Sequence, residues 1–314
     1  MGVEKLFEND DFLVVNKPFD MYINSDDENE KNTVTYHIAS PDSHLSTSPN
    51  PIHFIQRLDY STSGVLCLAK NKIAAARAGK LFEKRHTGKY YLAVVRGHVA
   101  FELADIEYDV LITIVGFRNH RMSALVNSLS DPTCVHSRRA HTRMLVLETG
   151  RYGDENVTVV LLKPITGRRH QLRVHCQAVG HIILGDYTYS NASDITPHRM
   201  FLHATRLILP LSKDPIDVQT GDPFFTDTRF TEKWRSDKCF YKYRSKEDFK
   251  LVCDIIDQSY RDILYDDGST GCKIKRQNNI IYLIFFISHH IILTLQFLRL
   301  RVIFIFFLNH FRNV

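Results

Sequence analysis

Apolar and polar positions fall into distinct blocks along the first two thirds of the chain. DFLVVNKP (11–18) is an apolar run of strand length stopped by Pro18, and VLCLAK (65–70) is a second. Between Lys72 and His86, Ala74, Ala78, Leu81 and Phe82 recur at helical spacing. They predict an amphipathic helix, ended by Gly88, whose other face carries Lys80, Lys84 and Arg85. KYYLAVVRG (89–97) then reads as a strand. Successive strand side chains point to opposite faces, so Tyr91 shares a face with Ala93 and Val95, and Tyr90 with Leu92 and Val94. The two tyrosines therefore cannot do the same job. MLVLE (144–148), VTVVLLKP (157–164) and FLHATRLILPL (201–211) are further strands.

TGRRHQLRVHCQAVG (166–180) sets Leu172, Cys176 and Val179 four and three apart. This predicts a helix with Thr166 and Gly167 at its start and Gly180 as its cap. On such a helix Arg169 and Arg173 would share a face. Phe249, Val252, Cys253, Ile256 and Tyr260 mark one more amphipathic helix. Residues 20–51 are polar and punctuated, a long surface loop with room for one short helix. Residues 100–150 are harder to read; they hold two basic patches, RNHR (118–121) and SRRAHTR (137–143).

Length and composition narrow the reading. At 314 residues and 44% hydrophobic, the chain can bury a sizeable core. Its formal charge of +5 includes Arg299, Arg301 and Arg312 of the last 38 residues, which hold no acid; without them 37 basic residues face 35 acidic ones. Net charge thus argues for no partner, and a nucleic-acid case must rest on local basic clusters. The six cysteines are scattered, so reduced thiols in an intracellular protein are expected, with the cytoplasm as compartment and nucleus or mitochondrion as alternatives. The 16 histidines form no metal-ligand array, so no metal is expected. MGVEKLFENDD lacks the apolar stretch of a secretory signal.

Residues 277–314 differ in kind. They contain no Ala, Gly, Pro, Asp, Glu or Lys, and Ile280–Leu298 is an uncharged stretch long enough to span a bilayer. The same composition arises when AT-rich non-coding DNA is translated, which is the first expectation. A membrane anchor and a buried helix are the alternatives.

RLDYSTSG (57–64) poses the chemical question: an arginine and a carboxylate stand at the mouth of a run of small residues, just before an apolar strand. A turn capped by its aspartate would suffice for the residue types. Its company suggests more. DFLVVNKP, RLDYSTSG, KYYLAVVRGH and TGRRHQLRVHCQAVGHIILGD occur in an order and spacing that resembles the RNA pseudouridine synthases related to the bacterial RluA enzymes. That family's pattern is HRLDxxTSG, KxYxAxVxG and GRxHQxRxH…GHPIxGDxxY. The resemblance covers roughly residues 6–211; Gln56, Arg169 and Ile182 depart from it, which bears on substrate choice rather than on the reaction.

The resemblance implies an α+β fold with a mostly antiparallel, mixed central sheet flanked by helices. One catalytic domain is expected over 1–211, and the sequence itself adds an extension with one helix (212–276) and the tail (277–314). The resemblance also implies a monomer that isomerises uridines in transfer, ribosomal or messenger RNA without metal or organic cofactor. Asp59 would be the catalytic carboxylate, Arg173 its ion-pair partner, and Tyr91 would stack on the turned-out uracil. Arg57 would fill the vacated stack or hold a phosphate. Thr62, Ser63 and Gly64 would leave room for the ribose, and Arg168, Arg169 and His170 would meet the RNA backbone from the helix start. Lys17 would stand at the rim of the site, and Asp186 would cap a turn. A non-catalytic RNA-binding protein of the same fold is the alternative, and turnover separates the two.

Overall fold

A computed structural model describes residues 2–39, 52–115, 119–124, 134–258, 265–266 and 271–276. The tail at 277–314, most of the second half of the 20–51 loop, Arg118 of the first basic patch and Tyr260 of the last predicted helix lie outside the described residues. Met1–Lys275 forms one compact unit. Among the described residues no helix is long and apolar enough to cross a membrane.

The chain begins with a hairpin, β1 (Glu4–Glu8) and β2 (Phe12–Lys17), followed by the short α1 (Val34–Ala39). Next come β3 (His53–Phe54), β4 (Ser63–Ala69), α2 (Lys72–Glu83), β5 (Gly88–Arg96) and β6 (Phe101–Ile106). The middle region, opaque in sequence, supplies β7 (Val110–Val115), β8 (Asn119–Ala124) and β9 (Cys134–Arg138), a separate three-stranded sheet. Then follow β10 (Thr142–Tyr152), β11 (Glu155–Pro164), α3 (Gln171–Ala178), β12 (Leu202–Leu209) and β13 (Ile216–Gln219). The chain continues through α4 (Thr228–Thr231), β14 (Trp234–Cys239), α5 (Lys246–Asp257), β15 (Tyr265–Asp266) and β16 (Cys272–Arg276).

The large sheet runs β1-β2-β4-β12-β5-β11-β10-β6-β16-β15, with β3, β13 and β14 paired at its flanks. It is mixed, with β4 and β12 parallel among antiparallel neighbours, as the expected α+β fold requires. One register line positions the site. Lys17 pairs with Gly64, Gly64 with Ala204, Ala204 with Tyr91 and Tyr91 with Leu162, across five strands. Paired residues share a face of the sheet. The turn that enters β4 is thereby fixed beside the Tyr91 face of β5.

Two helix boundaries differ from expectation. α2 ends at Glu83 rather than at Gly88, because Arg85 adopts a left-handed φ of 59° while the amide of His86 reaches back to the Leu81 carbonyl at 2.9 Å. α3 starts at Gln171, so Thr166 to His170 form a turn ahead of it and Arg169 shares no helical face with Arg173. Its end is as predicted: Gly180 has φ +84° and His181 donates to the Cys176 carbonyl.

The residues after 211 belong to the same core. β13 extends the sheet from β12 and β14 pairs with β10. Phe224 and Phe230 are fully buried against Phe201 and Tyr152, and the apolar face of α5 (Phe249, Val252, Ile256) packs into that cluster. The polar composition of 212–247 hides these few large anchors.

Candidate active site

A cleft of about 690 Å³ opens over the Tyr91 face of β5. One wall is the 54–62 segment with Arg57, Asp59 and Thr62; the other is the 164–173 turn and start of α3, with Arg168, Arg169, His170 and Arg173. Asp59 and Arg173, 114 residues apart in sequence, meet here: Arg173 Nη1 donates to Asp59 Oδ2 at 3.2 Å. The fork of Arg173 is turned elsewhere, with Nε and Nη2 donating to the two oxygens of Asp186 at 2.7 Å each. The bidentate pair of Arg173 is therefore with Asp186, and Asp59 receives a single bond. Burial works against the Arg173 charge, and the hydrogen bonds and charge of Asp186, helped by Asp59, more than restore it, raising its pKa.

Asp186 does cap a turn, accepting from the Tyr189 amide at 3.1 Å, yet its second task is the larger one. Tyr189 is fully buried and lies beneath the Arg173 guanidinium at 4.9 Å. Its hydroxyl meets His170 Nδ1 at 3.0 Å, and His170 Nε2 lies 3.8 Å from Asp59. Burial, with the charges of Arg173 and Arg169, outweighs Asp59 and pushes the His170 imidazole down to about 4, so it is neutral at pH 7. His170 has φ 53°, a strained left-handed backbone for a non-glycine residue, which sets its ring between Tyr189 and Asp59.

Tyr91 lines the cleft, and burial together with the Asp59 carboxylate pushes its phenol up, keeping it protonated. Tyr90 faces the opposite core and donates to Asp257 at 2.7 Å. The separation of the two tyrosines read from alternation is observed. Arg57 and Arg169 are exposed at the rim. Arg57 forms no ion pair with any described residue. Arg168 donates from Nε to the Arg139 carbonyl at 3.1 Å.

Three expected substrate contacts are used differently. Lys17 is completely buried and donates to the carbonyls of Pro18, Met21 and Tyr60 at 2.7–3.0 Å. It therefore fixes the backbone that carries Asp59 and has no face at the rim. Burial pushes it down to about 7, against the pull of Asp20 and Asp59. Ser63 is buried, its hydroxyl accepting from Arg199 Nη2 at 2.5 Å and meeting His203 Nδ1 at 2.7 Å. Gly64 has φ +114°, and a Cβ there would lie 2.2 Å from the Ala204 carbonyl oxygen. Its smallness serves the close β4–β12 approach, not the ribose. Thr62 alone of the three small residues lines the cleft.

Sequence reasoning passed over Lys89, Gln171, Asp186 and Tyr189 as site residues. Lys89 lines the cleft with Nζ 3.5 Å from the Thr166 carbonyl, and burial pushes it down to about 8. Gln171 is buried and fully bonded: Oε1 accepts from Thr166 Oγ1 and the Arg168 amide, and Nε2 donates to the His141 carbonyl and Thr142 Oγ1. It locks the turn bearing Arg168 to His170. The signal for Asp186 and Tyr189 was present in GDYTY. Among the described residues, Asp105, Glu107 and His141 could together reach one metal ion. Asp105 is already bonded to His141, with Arg143 at 3.5 Å, so that carboxylate has its partners within the chain.

The class follows from comparison with known proteins. The family model described as RNA pseudouridylate synthase matches residues 11–178, and the chain belongs to this family of isomerases, the RNA pseudouridine synthases. Among its relatives, RNA pseudouridylate synthase domain-containing protein 1 of Danio rerio is 39% identical over 239 residues, 74% of this chain and 78% of the relative. The Mus musculus protein of that name is 41% identical over 228 residues, 70% of this chain and 72% of its own length. The dual-specificity RNA pseudouridine synthase RluA of Vibrio vulnificus is 35% identical over 206 residues, 65% of this chain and 76% of the relative. The solved structure of human RNA pseudouridylate synthase domain containing 1 superposes with TM-score 0.67 at 33% identity, covering 81% of this chain and 95% of that one.

Proposed function

We propose that this enzyme isomerises a uridine turned out of its RNA strand, with Asp59 as the group that acts on the sugar. The observation that carries the reading is the meeting of Asp59 and Arg173 inside the cleft lined by Tyr91. Pseudouridine formation breaks the glycosidic C–N bond, turns the uracil and rejoins it to the sugar through carbon. A carboxylate is suited to act on the sugar carbon as nucleophile or base. Arg173 holds that carboxylate through one hydrogen bond, leaving its second oxygen available. Tyr91, held protonated, stacks on the uracil and offers its hydroxyl for the proton transfer by which the newly bonded ring carbon loses its proton and the freed ring nitrogen gains one.

Arg57 at the rim occupies the space the base leaves, which lowers the few kcal/mol that unstacking costs. Thr62, Arg168, Arg169 and neutral His170 contact the nucleotide and its phosphates. Mapping pseudouridines in cells lacking the protein, complemented with wild type or Asp59→Ala, tests the reading. Wild type restores a defined set of sites and Asp59→Ala restores none; restoration by Asp59→Ala refutes the role of this carboxylate.

A further inference from the structure

Tyr60 follows Asp59 directly, yet its ring points out of the cleft. It packs against the ring of Tyr22 with centroids 4.6 Å apart and planes tilted by 48°. Both rings remain open to solvent, Tyr22 46% and Tyr60 41% exposed. Single exposed aromatics are ordinary, but a touching pair with both rings partly open to solvent is not core packing.

The pair is also held in place. The Tyr60 carbonyl accepts from buried Lys17 Nζ at 3.0 Å and from the Met21 amide at 3.2 Å. The Tyr22 amide donates to the Asn32 carbonyl, and its carbonyl accepts from Val34. Backbones so fixed leave little ordering cost for a ligand that stacks on the rings.

We infer that Tyr22 and Tyr60 form a stacking ledge for a base of the RNA strand adjoining the nucleotide that enters the cleft. This rests on the proposed action on a turned-out uridine. The chemistry around the ledge selects a base over a phosphate. Asp20 and Glu30 lie close enough to Tyr60 to act on its phenol, so an incoming phosphate would meet like charge there. The rim cations Arg57, Arg168 and Arg169 offer the phosphates a better place. Aromatic faces accept any base, since every base has a π-face.

The test uses the full chain and two probes, a 12-nucleotide oligouridylate and an abasic ribose-phosphate chain of equal length. Wild type binds the oligouridylate more tightly than the abasic chain. Tyr22→Leu and Tyr60→Leu each weaken oligouridylate binding by about fivefold or more. Both leave abasic binding unchanged, and Tyr60→Phe binds as wild type. Equal loss for both probes, Leu variants that bind as wild type, or a wild type with no preference for bases would each overturn the ledge. Binding does not depend on turnover, so failure here is distinct from failure of the Asp59 reading, which pseudouridine formation reports.

Discussion

Asp59 and Asp186 contact the same guanidinium in opposite circumstances. Asp186 lies beneath the cleft floor, behind Arg173, with no side-chain exposure, and takes both prongs of the Arg173 fork at 2.7 Å. Asp59 stands at the mouth, its side chain 26% exposed, and receives a single bond at 3.2 Å. A carboxylate whose lone pairs are committed in a dry pocket positions its partner. One held by a single bond at an open wall remains able to react. The floor thus orients Arg173, and Arg173 in turn orients Asp59.

The comparison breaks most readily at the floor. Asp186→Asn leaves a buried guanidinium without its charged partner and costs about 3–5 kcal/mol of stability, read as a lower denaturation midpoint. Asp59→Asn shifts that midpoint by less than about 1 kcal/mol, since the group is partly solvated and singly bonded. Equal losses for the two would erase the distinction.

Tyr91 sharpens the chemistry at the mouth. Tyr91→Phe keeps the ring and removes the phenol, so turnover falls about a hundredfold while RNA affinity holds. Single-turnover kinetics beside a binding titration separates these, and undiminished turnover would limit Tyr91 to stacking.

Lys89 gives a smaller effect on RNA binding. Burial pushes its pKa down to about 8, so it is cationic below that pH and neutral above it. RNA affinity then falls as pH rises through 8, by about tenfold for one lost charged contact. Lys89→Arg, which stays charged, flattens the profile; a wild-type profile already flat from pH 7 to 9 would remove Lys89 from the interface.

Much of this was legible in the chain. Apolar runs marked β2, β4, β5, β11 and β12, and alternation alone set Tyr90 apart from Tyr91, because each strand is buried against a continuous core. The resemblance brought Asp59 and Arg173 together, and the structure places them within one hydrogen bond. What stayed hidden depends on partners far along the chain. Gly64 is small because of Ala204, and Ser63 is buried because of Arg199 and His203. Lys17 reads as a rim cation until three carbonyls converge on it. The turn before α3 reads as helix because Thr166 and Gly167 look like a helix start, while Gln171 and the left-handed His170 hold it open.

The most direct measurement of the central claim is pseudouridine formation by purified Asp59→Asn protein under single-turnover conditions, on RNA from cells that lack the enzyme. A folded variant that binds this RNA and forms no pseudouridine is the predicted result. Product at a rate within tenfold of wild type would contradict the assignment of Asp59 as the reacting group.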